Sequence, residues 1–251
     1  MNILITAGNT HAPIDRVRVI TNVFTGATGA HLACTAYVRG HNITVLTSQP
    51  YTLSDLPEPA DDPGRRAVVV PYRTFDDLAG RFQHELRTGG YDCVIHSAVL
   101  SDYLSAGVYA PDAGTFFNAR TRHWERRGGP PAMSEAKAGK IGTSEPEMWI
   151  RLVRAPRLVD RVRTPWGFAG LLVEFRLEVG VGDHELVGAA EQARAKTAAD
   201  LIVASTLEGS PHYAYMGPLE GKYERVDRRE LGERLLVTVE QLHRGRVKQN
   251  G

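Results

Sequence analysis

Short apolar runs rich in β-branched residues alternate with helical patterns through the first part of the chain. The runs at residues 3–6, 42–47, 67–71 and 93–98 are typical of buried strands, and the patterns at 29–39 and 75–87 indicate helices. Strand–helix–strand units of this kind form parallel sheets with right-handed crossovers. We therefore predict an α/β, Rossmann-like three-layer fold with a mainly parallel sheet.

The same alternation returns in the second half of the chain after an interruption. Residues 100–143 are rich in glycine, proline and arginine and are too long for an ordinary connection, so we expect an excursion or flap within residues 100–150. The segment 171–178 alternates after Val173, which predicts a strand nearer the surface. The chain as a whole, residues 1–251, is expected to be a single domain. Further elements are predicted as strands at 149–153, 201–204 and 223–226, and as helices at 157–162, 183–198 and 229–243.

A long segment separates the first strand, which ends at Ala7 and Gly8, from the first helix. It contains Arg18 and Asn22 and then the sequence TGATG, residues 25–29. Glycine and hydroxyl residues before a helix suit a phosphate, because backbone N–H groups approach it closely. Arginine adds a planar donor for a carboxylate or phosphate. A binding loop for an anionic ligand and an ordinary turn both fit these residues, since GxxG alone is a weak signal.

The motif ILITAG…PIDRVRVITN…TGATG resembles the opening of the phosphopantothenoylcysteine synthetase family. That family is also called phosphopantothenate–cysteine ligase and is the C-terminal-domain type of the DNA/pantothenate metabolism flavoprotein. The resemblance continues to near the C-terminus. It implies joining of 4'-phosphopantothenate to cysteine through an acyl-nucleotidylate, with CTP or ATP as the nucleoside triphosphate and Mg²⁺ on its phosphates.

The same resemblance implies roles for individual residues. Catalysis is implied for Arg18, Asn22 and Lys140, where Lys140 matches the first lysine of the family's KIKK motif. Phosphopantothenate binding is implied for Asn22, Thr25, Gly26 and Gly29. Nucleotide binding is implied for Gly8, Ala98, Asp102, Phe175, Arg194 and Lys196.

Two of these assignments also have ordinary explanations in the residues themselves. Asp102 follows the fourth strand, where an aspartate binds a ribose hydroxyl or caps a turn. Phe175 lies in a strand pattern, where a phenylalanine is also a normal core residue.

Several residues depart from the family pattern. Ala27 replaces a lysine, Glu174 a glycine and Ser205 an asparagine, and the family's paired lysines fall on Ala193 and Thr197, one residue from Arg194 and Lys196. A non-catalytic nucleotide-binding relative therefore remains an alternative. An NAD(P)-dependent oxidoreductase is disfavoured, because GxGxxG is missing and the second strand does not end in an acidic residue.

Charge and composition restrict the partners. Thirty basic and 29 acidic residues give a net charge of +1, which favours neither nucleic acid nor a membrane surface. No signal peptide and no apolar run of the ~20 residues that a membrane helix needs is present, so we expect a soluble cytoplasmic protein. The nine histidines lack metal-site spacing, and both cysteines fit the core. The family resemblance implies a homodimer.

Overall fold

The structure, a computed structural model, describes residues 1–57, 64–136 and 146–250, and the side chains of these residues except 249 and 250. The strands are β1 (Asn2–Ala7), β2 (Ala12–Pro13), β3 (Val19–Ile20), β4 (Asn42–Thr47), β5 (Ala67–Pro71), β6 (Cys93–His96), β7 (Tyr103–Pro111), β8 (Thr115–Asn118), β9 (His123–Arg126), β10 (Met133–Glu135), β11 (Trp149–Arg154), β12 (Leu171–Glu178), β13 (Leu201–Thr206), β14 (Tyr213–Leu219) and β15 (Lys222–Asp227). The α-helices are α1 (Ala27–Val38), α2 (Phe75–Thr88), α3 (Asp183–Thr197) and α4 (Leu231–Asn250). Short 3-10 turns lie at Pro50–Leu53 and Val159–Arg161. None of the helices within the described residues is long and apolar enough to cross a membrane.

An eight-stranded sheet organises the first of two compact units, which comprises residues 1–10, 23–100 and 157–251. Its strand order is β15-β14-β13-β12-β6-β1-β4-β5, in which seven strands run in the same direction and β14 runs antiparallel to them. The predicted α/β fold with a mainly parallel sheet is confirmed. The predicted bounds of β4, β5 and β12 agree with the structure to the residue.

Helices cover both faces of this sheet. The core on one face joins α1 and α4 to the alternate strand residues Ile3, Ile43 and Val173. On the other face, Phe82 of α2 stacks on His96 of β6, with ring centroids 5.4 Å apart. Because successive strand residues point to opposite faces, this arrangement gives three layers.

The expectation that residues 171–178 form a strand nearer the surface is wrong. β12 lies in the middle of the sheet between β6 and β13, and its first four residues are buried. The alternation in the sequence reflects only the second half of β12, which is half-buried. A central strand that is buried at one end and partly exposed at the other cannot be recognised as central from its sequence pattern alone.

The second compact unit comprises residues 11–22 and 101–156. β7 pairs with β10 and β11 in an antiparallel sheet, and β8 pairs with β9. Rings of Phe117, Trp124 and Trp149 pack together with centroids 4.6–5.4 Å apart. The predicted excursion is thus largely β-structure, although residues 137–145 lie outside the described residues. That residues 1–251 form a single domain stays a prediction.

Candidate functional site

A glycine turn lies where β1 ends and α1 begins. Gly8 and Gly26 both have positive φ, +89° and +80°, which is the left-handed region that favours glycine. A Cβ on Gly26 would lie 2.7 Å from the Gly8 nitrogen and 2.8 Å from the Gly8 Cα. The two backbones therefore cross with no room for a side chain.

Gly29 holds the first turn of α1 directly against two strand ends. A Cβ at this position would lie 2.4 Å from the Ala7 Cβ and 2.7 Å from the Ser97 Oγ. The Ser97 hydroxyl donates in turn to the Thr6 carbonyl, at 2.7 Å, so the ends of β1 and β6 are joined. The absence of a side chain on Gly29 is explained by packing, and its predicted contact with phosphopantothenate stays a prediction.

The turn has the properties of an anion site. Gly26 is the N-cap of α1, no side chain caps the helix, and the first turn contains no acidic residue. The unsatisfied N–H groups and the positive end of the helix dipole favour a phosphate or carboxylate here. Thr25, next to Gly26, is exposed. The structure thus brings Gly8, Gly26 and Gly29 together at the carboxyl ends of β1 and β6, where open parallel sheets bind ligands.

Two further predicted nucleotide contacts lie in the same unit. Ala98 follows β6, and its N–H donates to Thr6 Oγ1 at 3.3 Å. Phe175 is half-buried on β12 and packs against the core on the face that carries α1 and α4. Base packing against Phe175 stays a prediction. The observed packing fits the ordinary explanation, a core phenylalanine, equally well.

Arg194 and Lys196 are not brought to the glycine turn. They lie in the last turn of α3, which leads into the amino end of β13, whereas the turn lies at the carboxyl ends of the parallel strands. Arg194 Nη2 pairs with Glu191 Oε1 at 2.6 Å, and Lys196 Nζ pairs with Asp160 Oδ2 at 2.5 Å. Their charges are satisfied within the fold, as two exposed or half-exposed ion pairs.

The remaining predicted residues belong to the second unit or lie outside the described residues. Arg18 makes a bidentate contact with Asp15, with Nη2 and Nε 2.6 and 3.0 Å from Oδ2. Asn22 is half-buried, and Asp102 is an exposed residue whose carbonyl accepts from the Ala155 N–H at 2.8 Å. Lys140 falls in 137–145, outside the described residues.

Two of the departures from the family pattern meet inside the first unit. Thr197 Oγ1 donates to Glu174 Oε2 at 2.9 Å, and Arg157 Nη2 donates to Glu174 Oε1 at 2.7 Å. The Glu174 side chain is 3% exposed. Burial raises the pKa of Glu174 above its ordinary value, while the Thr197 hydrogen bond and the Arg157 charge oppose that shift. Sequence reasoning missed Arg157, because no local spacing relates it to Glu174.

His96 is a buried polar residue at the end of β6. A hydrogen bond of 2.8 Å joins its Nδ1 to Thr6 Oγ1. Burial, reinforced by the Arg157 charge, lowers the pKa of His96 to about 4. The imidazole is therefore neutral at pH 7 and serves as an uncharged hydrogen-bonding core group.

The described residues do not build a metal cage. No group of three or more His, Cys, Asp or Glu side chains among residues 1–57, 64–136 and 146–250 is placed to hold a metal ion.

Comparison with known proteins identifies relatives of the chain. Residues 1–110 match the family model of the DNA/pantothenate metabolism flavoprotein C-terminal domain. Over 247 residues the chain is 27% identical to the coenzyme A biosynthesis bifunctional protein CoaBC of Thermococcus kodakarensis, with 96% of this chain and 51% of that protein covered. The chain thus spans about half the length of the curated relatives it matches. The resemblance of the opening motif is confirmed.

Solved structures show the same fold. The DNA/pantothenate metabolism flavoprotein from Streptococcus pneumoniae is 25% identical, with a TM-score of 0.74 and coverage of 97% of this chain and 100% of that chain. A mutant of Cab2 in complex with phosphopantothenate-cysteine is 15% identical, with a TM-score of 0.68 and coverage of 99% and 88%. At that identity the second likeness concerns the fold alone.

Proposed function

We propose that the chain is a phosphopantothenate–cysteine ligase of coenzyme A biosynthesis, because its residues 1–110 match the family model of the DNA/pantothenate metabolism flavoprotein C-terminal domain. The strongest support is the alignment with CoaBC, which extends over 96% of the chain. The glycine turn adds physical support, since it offers uncapped N–H groups to an anion at the carboxyl edge of the sheet.

The proposed reaction has two steps. The carboxylate of 4'-phosphopantothenate attacks the α-phosphorus of CTP or ATP, and the bond to pyrophosphate breaks. The amine of cysteine then attacks the acyl carbon and, losing a proton, displaces the nucleoside monophosphate. Neither step needs a covalent bond to the protein, so catalysis consists of holding two anions together and neutralising charge.

In this proposal the glycine turn and Thr25 bind phosphate, while Arg18 and Lys140 balance negative charge. The side-chain amide N–H group of Asn22 donates a hydrogen bond to the acyl-nucleotidylate. Mg²⁺, when bound, supplies charge on the nucleotide phosphates. We also propose a cytoplasmic homodimer, for which sedimentation equilibrium of the full chain is the direct test.

The decisive experiment measures pyrophosphate release with CTP or ATP, each with and without phosphopantothenate and cysteine. We expect release with one nucleotide only when phosphopantothenate is present, and formation of phosphopantothenoylcysteine only when cysteine is added. A non-catalytic relative is the second candidate, favoured by the engagement of Arg194 and Lys196 in ion pairs. Nucleotide binding without pyrophosphate release under all conditions would establish that alternative.

Variants at the proposed catalytic positions separate the two steps. Lys140→Gln is expected to lower kcat by about 10²–10³-fold, the usual effect of removing one preorganised charge-stabilising donor. Asn22→Asp is expected to let the acyl-nucleotidylate accumulate, because loss of the amide donor slows the second step, the attack by cysteine, more than the first. Single-turnover assays with mass spectrometry measure both effects. Lys222→Gln, an exposed lysine on β15, is the matched control and should retain wild-type turnover. Wild-type kcat for both test variants contradicts the assignment.

A further inference from the structure

Arg228 connects the C-terminal part of the chain to the glycine turn. It lies between β15 and α4, and its Nη2 donates to Thr28 Oγ1, 200 residues earlier in the sequence. Thr28 is the second residue of α1 and lies between Ala27 and the packed Gly29. The guanidinium is therefore held beside the same helix turn that offers its N–H groups to an anion.

Among the described residues, no carboxylate balances the charge of Arg228. Burial alone lowers its pKa, and no carboxylate in the described part of the chain forms an ion pair with it. The adjacent Asp227 pairs instead with Arg229, with Oδ1 and Nε 3.1 Å apart. By contrast, the half-buried Arg39 and Arg163 have carboxylate partners, Glu240 and Asp200.

A second arginine, Arg65, contacts the other end of α1 and occupies an electrostatically favourable position. Arg65 Nη2 donates to the Tyr37 carbonyl at 2.6 Å, at the negative end of the helix dipole. Arg228 lies at the opposite end, where the helix dipole repels a cation. A desolvated cation at a positive helix end is unfavourable unless an anion joins it, and such arrangements concentrate at functional sites.

We propose that Arg228 is a ligand-binding residue whose guanidinium binds a phosphate group of a substrate at the glycine turn. This inference rests on the proposed function for the identity of the ligand, which is either the triphosphate of the nucleotide or the phosphate of phosphopantothenate. The planar guanidinium presents two parallel donors to phosphate oxygens. The Thr28 hydroxyl, which accepts from Arg228, keeps its own proton to donate to the same group.

The test compares Arg228→Gln and Arg228→Lys with Arg229→Gln in the full chain, by calorimetric titration with inorganic pyrophosphate and, separately, with phosphopantothenate. Arg229 is the neighbouring exposed arginine and is the matched control. Loss of a charge-assisted hydrogen bond should weaken one of the two ligands by about tenfold to hundredfold in Arg228→Gln. Arg228→Lys should have an affinity between those of the wild type and Arg228→Gln, because lysine keeps the positive charge but lacks the two parallel donors of the guanidinium. Arg229→Gln should bind as the wild type does.

The two ligands identify which phosphate Arg228 binds, and thermal unfolding of each variant reports whether it is folded. Wild-type affinity of Arg228→Gln for both ligands overturns the inference whatever the ligase assay shows. If Arg228→Gln does not fold, Arg228→Lys decides: weakened binding at an unchanged melting temperature supports the inference, and unchanged binding overturns it. If the wild type binds pyrophosphate through Arg228 but forms no phosphopantothenoylcysteine, the proposed ligase activity fails and the anion site stands.

Discussion

Replacing Gly26 with alanine is expected to remove most of the activity and a large part of the stability of the first unit. The left-handed φ of +80° costs a side chain about 1–2 kcal/mol. The new Cβ would also lie 2.7 and 2.8 Å from backbone atoms of Gly8, which cannot rotate away as a side chain can. The turn and the start of α1 must therefore shift. A displacement of about 1 Å of a substrate-holding group is enough to reduce the rate by about 10²-fold.

Gly40→Ala is the matched control for this experiment. Gly40 has a similar positive φ of +94°, but its Cβ would meet nothing closer than 3.7 Å, at the end of the Arg65 side chain. This variant should show the strain of the left-handed conformation without the clash, and should keep its kcat. Urea unfolding and the pyrophosphate assay measure the two effects. Equal losses of stability and rate in both variants would show that the crossing of Gly8 and Gly26 is unimportant.

Arg157→Ala should destabilise the first unit by about 3 kcal/mol at pH 7, because it leaves the buried Glu174 carboxylate without its cation. For a domain of this size that corresponds to a fall of about 6–12 °C in Tm. Asp160 retains its contact with Lys196, so the loss is specific to Glu174. Arg161→Ala, an exposed arginine in the same segment, should stay within about 0.5 kcal/mol of the wild type.

The deficit of Arg157→Ala has a defined pH dependence. Burial already raises the folded-state pKa of Glu174, and removal of Arg157 takes away a cause that lowers it. The folded variant therefore binds a proton more readily than the unfolded chain. Its deficit relative to the wild type is fully present above the folded-state pKa of Glu174 in the variant, and shrinks as pH falls from there to the lower folded-state pKa of Glu174 in the wild type. Urea unfolding of wild type and variant at several pH values measures the difference, and Glu174→Gln should restore most of it.

An Arg157→Ala protein as stable as Arg161→Ala would contradict this account of the buried pair. So would a deficit that grows on acidification. Either result would mean that the Glu174 carboxyl is solvated or protonated in the folded wild type. The double variant Arg157→Ala with Glu174→Gln separates loss of the charge pair from loss of the arginine's packing.

Much of the central sheet was predictable because its strands are continuous apolar runs. β4 and β5 were located to the residue, since both end at clear punctuation and are followed by loops or a helix. In the second unit, β11 was predicted at 149–153, but β7 was not, because half-buried antiparallel strands such as β7 contain glycine and polar residues and give a weak alternating pattern. β14 was missed for the same reason, with Gly217 and Pro218 inside it.

Only the parts of the candidate site that are built from residues close together in the sequence were predictable. The glycines of the turn precede a helix in the sequence, so an anion-binding loop was expected from the strand–loop–helix pattern, but the crossing of Gly26 over Gly8 was not. Arg228 and Arg157 act through contacts with residues far away in the sequence, at 200 and 17 positions. In the sequence, Thr197 and Glu174 are two unrelated departures from the family pattern. In the fold, the Thr197 hydroxyl donates a hydrogen bond to the Glu174 carboxylate. Side-chain pairing across elements has no signature in a single sequence.

The place of β12 in the sheet has a consequence for biosynthesis. β6 is complete at residue 96, but the neighbour on its open side is β12, which begins at residue 171. At ribosomal speeds, the intervening chain takes on the order of ten seconds to emerge. During that interval the nascent protein carries a bare apolar strand edge that other chains can pair with. We therefore expect the nascent protein to need a chaperone that covers this edge during synthesis. Without one, it should aggregate in a concentration-dependent way.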